Sequence, residues 1–204
     1  MKQQFIVTNP ILPENMLNSA VYSYSSRTDR QPVEAHFAGI PMIKHNVDKN
    51  ADIKILVVIT KDANGNYEKN YKLFLEELKS ISDEIGIDLG SKITTVEIPF
   101  SETTDKHISF FTDMCKGFEE GADLYMDVTF GSKVTSIDIF STLVYAEKIK
   151  KCDIKEVVYG KGLKGEPQEI FDISTLYRMT QLINTMSYIP NANIDEMLAR
   201  FKSE

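Results

Sequence analysis

Thr129, Phe130, Gly131, Ser132 and Lys133 set two hydroxyls, a glycine and a lysine side by side where an apolar run gives way to a helical pattern. Each of these types suits the holding of an anion. Glycine lets the backbone approach a ligand closely, and the first N–H groups of a helix lack partners within it and carry partial positive charge. A lysine in the first turn adds a full charge at the same place. The same residues also suit an ordinary strand-to-helix turn, in which Gly131 turns the chain and Ser132 caps the helix. Lys133 favours the anion reading, because a cation in the first turn opposes the helix dipole unless an anion lies nearby.

Other chemistry finds less support. No GxGxxG follows the first strand pattern and no GxxxxGK[ST] occurs, which argues against a dinucleotide oxidoreductase or a P-loop NTPase. His36, His45 and His107 stand alone, without carboxylates or cysteines at ligand spacing, so structural roles are expected and no metal. Cys115 and Cys152 have no CxxC spacing and read as buried or half-buried thiols. Arg30 and His36 form an R-x5-H string, the spacing of the HEPN ribonuclease motif. That motif needs a helical bundle, and Pro32 interrupts the string, so it reads as chance. Tyr22 and Tyr24 could stack on a base and Arg27 could meet a phosphate, but packing is the expected role.

The elements that would position the turn follow from hydrophobic patterning. Four β-branched runs end in small, hydroxylated or aromatic residues: QFIVT at Thr8, IKILVVIT at Thr60, KITTVEIPF near Phe100 and DLYMDVT at Thr129. IKEVVYG, ending at Gly160, and QEIFDIS, ending at Ser174, add two more. Tyr67, Tyr71, Phe74, Leu78, Ile81 and Ile85 recur at helical spacing before Gly86, and further helical patterns run from Asp105 to Phe118 and from Ser132 to Lys150. Strands alternating with helices imply an α/β, Rossmann-like, mostly parallel sheet flanked by helices.

Pro10 to Asn50, broken by prolines, is expected to hold short helical pieces and loop. From Thr175 two helices are expected on either side of Pro190, the second capped by Asn193 and carrying Ile194, Met197, Leu198 and Phe201 on one side. Residues 1–186 are read as the Rossmann domain and 187–204 as a C-terminal helical tail. In such sheets ligands bind beyond the carboxyl ends of the strands. That rule selects Thr8-Asn9-Pro10, Thr60-Lys61-Asp62, Phe100-Ser101 and the turn from Thr129 to Lys133.

At 204 residues and 42% hydrophobic, the chain suits one sizeable core. No run reaches the length needed to span a bilayer and no leader pattern opens the chain, so a cytoplasmic protein without membrane contact is expected. A net charge of −7 argues against coating long nucleic acid, which requires many lysine and arginine contacts to phosphate. A small anion in a locally basic pocket is compatible with it.

DVTFGSK, from Asp127 to Lys133, resembles the strand-to-helix motif of CARF domains, the CRISPR-associated Rossmann-fold sensors of type III accessory proteins. VVYGKG followed by EIFDISTLYRMTQLI, and ILVVITKDA after Lys54, are similar to regions of the same family. The resemblance covers roughly residues 53 to 186. In the first strand, Thr8-Asn9-Pro10 stands where many relatives have a glycine turn.

The resemblance implies a homodimer that binds a cyclic oligoadenylate, most simply the tetramer, across its two-fold axis, with every contact used twice. It implies that Gly131 and Ser132 offer donors and that Lys133 neutralises a phosphate. By strand-end position, Thr8, Asn9, Thr60 and Lys61 would stand around them, with Thr129 and Phe130 in the turn. Some relatives cut the ring without a metal or other cofactor, through orientation and charge stabilisation. Ser132 and Lys133 are the candidate catalytic residues for such a ring nuclease. Two alternatives stay open: the sensing half of a larger effector whose catalytic domain lies beyond Glu204, and a regulator that binds another nucleotide.

Overall fold

The computed structural model describes residues 1–10, 17–99, 103–161, 167–188 and 193–201. Strand β1 (Lys2–Asn9) is followed by β2 (Ala20–Tyr24), β3 (Val33–Ala35) and helix α1 (Gly39–Asn46). Then come β4 (Asp52–Lys61), α2 (Asn66–Ile85), a 3-10 turn at Gly90–Lys92, β5 (Ile93–Pro99), α3 (Thr104–Gly117) and β6 (Asp123–Asp127). Helix α4 (Lys133–Lys148), β7 (Asp153–Lys161), β8 (Gln168–Asp172), α5 (Ser174–Met186) and α6 (Ile194–Phe201) complete the order. The eight strands form one sheet in the order β3-β2-β8-β7-β6-β1-β4-β5.

The chain winds outward in one direction through β1, β4 and β5, then returns to the other side of β1 for β6 and β7, all five parallel. A fixed crossover hand then requires the helices of the two halves to cover opposite faces. The core divides in that way. Phe37, Ile40 and Ile43 from the α1 segment and Phe74, Leu78 and Ile81 of α2 pack on one face with Phe5, Val7 and Ile55. Phe110 and Met114 of α3, Ile139 and Leu143 of α4 and Tyr177 of α5 pack on the other, with Ile6, Leu56 and Met126.

Helix α2 shows how the local pattern is realised. Phe74 and Leu78 are 1% exposed, and Phe74 meets Phe37 edge-on at 5.8 Å. Burial of such a ring stabilises the fold by about 2–3 kcal/mol. Gly86 ends the helix at φ 75, a left-handed conformation open to glycine, and its N–H donates to Ser82 O.

The segment from Pro10 to Asn50 departs from the expectation of helical pieces and loop. It contains α1, but also β2 and β3, which extend the sheet: β2 runs parallel to β8 and antiparallel to β3. These strands are five and three residues long, too short to show periodicity alone, and their identity comes from pairing with β8. Tyr22 and Tyr24, 6% and 7% exposed, belong to the core, so they are not available for stacking on a ligand, and Arg27 pairs with Asp29 at 3.5 Å on the surface.

Two boundaries move. Strand β6 stops at Asp127 rather than Thr129, because the Asp127 carboxylate takes the Thr129 N–H that the ladder would otherwise use. Ser174 opens α5 instead of closing β8. In the tail, Asn193 Oδ1 accepts from Asp195 N at 2.9 Å, the cap expected at the start of α6. Pro190 lies outside the described residues.

Candidate functional site

The winding reverses between β1 and β6, and the carboxyl ends of these neighbours open the crevice in which doubly wound sheets take ligands. Thr8 and Asn9 end β1, and Asp127 ends β6. Asp127 is wholly buried, and its Oδ1 accepts from Thr129 N at 2.9 Å and from the Thr129 hydroxyl. Thr8 Oγ1 accepts from Phe130 N at 2.9 Å and stands 3.5 Å from Asp127 Oδ2. Thr129 Oγ1 in turn accepts from Gly160 N of β7 at 2.8 Å. Three strand ends are thereby tied to one turn.

The backbone has little room around this knot. A Cβ on Gly39 would lie 2.4 Å from Val7 Cγ1 and 3.2 Å from Asp127 Oδ2, and one on Gly160 would lie 2.8 Å from Ala38 Cβ. Glycine at these two positions lets α1 and β7 close on Asp127 and Thr129. Burial pushes the Asp127 carboxyl up from 3.8 to about 6, against the lowering effect of its bonds from Thr129 and Thr8.

The turn leads into α4. Gly131 is exposed and adopts φ 116, which side chains rarely tolerate, so it is required for the turn itself. Ser132 Oγ accepts from Thr135 N at 3.0 Å and caps the helix, the ordinary role foreseen for it. With Thr129 N, Phe130 N and Thr135 N occupied, no described residue accepts from the N–H groups of Gly131, Ser132, Lys133 or Val134. Lys133 is exposed at the first helical position, no acidic residue lies in that turn, and no described carboxylate pairs with the lysine. Among the described residues, donors without acceptors and a cation without a carboxylate therefore share one exposed spot.

The remaining candidates separate. Asn9, 2% exposed, donates from Nδ2 to Tyr67 O at 3.0 Å, while its Oδ1 has no hydrogen-bond partner among the described residues. Thr8 is 1% exposed and fastens the turn from beneath. Phe130 packs edge-on against Phe37 at 6.1 Å, anchoring the turn to the core. Thr60 is buried at the end of β4, and Lys61 pairs with Glu97 of β5 at 2.7 Å, on the side of β4 away from β1. Asp62 Oδ1 accepts from Tyr67 N and so holds the start of α2. Phe100 and Ser101 lie outside the described residues.

No protein-family model matches the chain, and no curated protein matches it. Among solved structures, the chain is similar to a point mutant of phosphofructokinase-2 from Escherichia coli. The identity is 12% and the TM-score 0.41, over 78% of this chain and 53% of that one. The chain thus spans about half the length of that protein.

Asp127 does not stand out among the candidates drawn from the sequence, although it opens the DVTFGSK segment. The signal that marks it is a charged residue inside the apolar run DLYMDVT, where a carboxylate must find donors or raise its pKa. The histidines take structural partners: His36 Nδ1 meets Glu77 at 2.8 Å, His45 Nε2 meets Gln31 O at 2.9 Å and His107 Nδ1 meets Asp138 at 2.6 Å. Arg30, of the R-x5-H string, is sealed against Glu156 at 2.7 Å and lies over the Tyr24 ring at 4.4 Å. Among the described residues no group of His, Cys, Asp or Glu gathers to hold a metal, and no helix is long and apolar enough to cross a membrane.

Proposed function

We propose that the chain binds a cyclic oligoadenylate, most simply the tetramer, as a sensor of the CARF type, with phosphate held at the turn from Gly131 to Lys133. The observation that carries this reading is the set of N–H groups at the start of α4 that no described residue accepts from, beside Lys133, which pairs with no described carboxylate, at the strand pair where the winding reverses. The oligoadenylate identity of the anion rests on the resemblance of DVTFGSK and VVYGKG to that family.

A ring with two-fold symmetry would be shared by two copies of the chain, each giving one turn. Exposed apolar side chains favour such pairing: Ile108 and Phe111 on α3, Ile137 on α4 and Leu176, Met179 and Ile183 on α5. The outward faces of α1 and α2 carry no comparable residues among those exposed. If the ring is cut, a ribose 2′-oxygen attacks the adjacent phosphorus, its proton goes to solvent, and the 5′-oxygen leaves, taking a proton from solvent, to give a 2′,3′-cyclic phosphate and a free 5′-hydroxyl. Lys133 and the free N–H groups would stabilise the charge gathering on the phosphoryl oxygens.

Calorimetry with cyclic tri-, tetra- and hexaadenylate tests the binding, and incubation of the bound ring with EDTA present tests metal-free cutting. Heat with one of the rings is expected. No heat with any of them would overturn the proposal.

A further inference from the structure

We infer that Tyr159 and Phe171, with Lys161, form a base-stacking platform at the end of β7, so that the site reads a nucleobase as well as a phosphate. The inference rests on the proposed nucleotide ligand but concerns residues outside the turn. Side chains alternate across a strand, which decides where these three point. Val158 of β7 lies in the core beneath α1 and α2, and a Cβ on Gly160 would meet Ala38 on that side. Val157 lies in the opposite core with α4 and α5, so Tyr159 and Lys161 project on the face of α4.

Phe171 stands directly opposite Tyr159 in the antiparallel β7–β8 ladder, and Ile170 faces the other core, which places both rings on one surface. Lys161 Nζ lies 5.8 Å from the Phe171 ring centroid. Glu169 is opposite Lys161 in register.

Among the described residues, the cover of β7 stops just before this surface. Helix α5 begins where Ser174 Oγ accepts from Val157 N at 2.8 Å, and its Tyr177 is buried in the cluster that holds Val157. Two residues further along β7, Tyr159 is 43% exposed. The platform joins the anion turn directly, since Gly160, between Tyr159 and Lys161, donates its N–H to Thr129 Oγ1. Aromatic faces next to cations and free backbone donors are what a nucleotide requires: base on the ring, phosphate on the charges. A ligand lying along the β6 and β7 ends would meet both in adjacent steps.

The test is calorimetry on the full chain with two probes, cyclic tetraadenylate and the base-free anion tripolyphosphate. Tyr159→Ala should weaken ring binding roughly tenfold to a hundredfold, the usual loss for one stacked base, while Tyr159→Phe stays within about threefold of the wild type. Tripolyphosphate should bind all three proteins alike, and Lys161→Ala should weaken both probes. Tyr159→Leu, which keeps apolar bulk without a ring, should behave as Tyr159→Ala and so guards against an effect of packing. Ring affinity unchanged in Tyr159→Ala, with Lys133→Ala still impaired, would overturn this inference and leave the proposed function standing. A wild-type chain that binds tripolyphosphate but no ring would overturn both, leaving only an anion site.

Discussion

Replacement of Asp127 by asparagine isolates the electrostatic cost of the knot beneath the turn. The wild-type carboxyl rises from 3.8 to about 6 because it is wholly buried. The folded chain therefore takes up a proton between these values that the unfolded chain still lacks. The stability this adds is complete below pH 3.8 and is lost as the pH rises through about 6. Keeping the group ionised above that range costs the folded state about 3 kcal/mol.

Asparagine has nearly the same shape and no charge to desolvate. Its Oδ1 can accept from Thr129, and its amide can donate toward Thr8 Oγ1, which stands 3.5 Å from the wild-type carboxylate. Urea unfolding of both proteins between pH 5 and pH 8 reads the difference, and subtraction removes the titration of Glu77 and Glu156, which burial also raises. Relative to the wild type, Asp127→Asn should gain roughly 1 kcal/mol or more between pH 5 and pH 7, part of a full span of about 3. A difference that stays flat across this range, or one that moves in the opposite direction, would refute the assignment of a costly buried carboxylate at the end of β6.

Three further substitutions separate the roles of neighbouring groups. Ser132→Ala should lower unfolding stability by about 1 kcal/mol, since Thr135 N loses its acceptor, and urea unfolding measures it. Lys133→Ala should stay within about 0.5 kcal/mol of the wild type in the same assay, because the exposed lysine pairs with no described carboxylate, while calorimetry shows ring affinity falling at least tenfold. Arg30→Ala should cost about 3–5 kcal/mol by leaving Glu156 buried and unpaired, and Arg30→Ala with Glu156→Gln should recover part of that loss.

The parallel framework is legible because its signal is local. The runs ending at Thr8, Thr60 and Gly160 and the α2 stripe from Tyr67 to Ile85 each carry their own periodicity, and the strand-end rule then selects the turn from Thr129 to Lys133. Strands β2 and β3 are not legible, since Tyr22 and Tyr24 show an alternating pattern over too few residues, and pairing with β8 makes them strands. Position selects Thr8 as a residue beside the ligand, yet its hydroxyl holds Phe130 N below the turn. Position also selects Lys61, and Glu97 on the neighbouring strand engages it. Asp127 and Tyr159 escape notice for a related reason: what one buries and the other exposes depends on how far α1 and α5 reach across the sheet.

Amide chemical shifts offer the most direct test of where the ligand sits. On titration of labelled protein with cyclic tetraadenylate, the N–H resonances of Gly131, Ser132, Lys133 and Val134 should move downfield as their protons meet phosphate oxygens. Those of the cleft formed by Leu75, Lys79 and Ile87, at the other end of α2, should stay in place. Shifts confined to that cleft, or resonances from Gly131 to Val134 that do not move at saturating ring, would contradict the account.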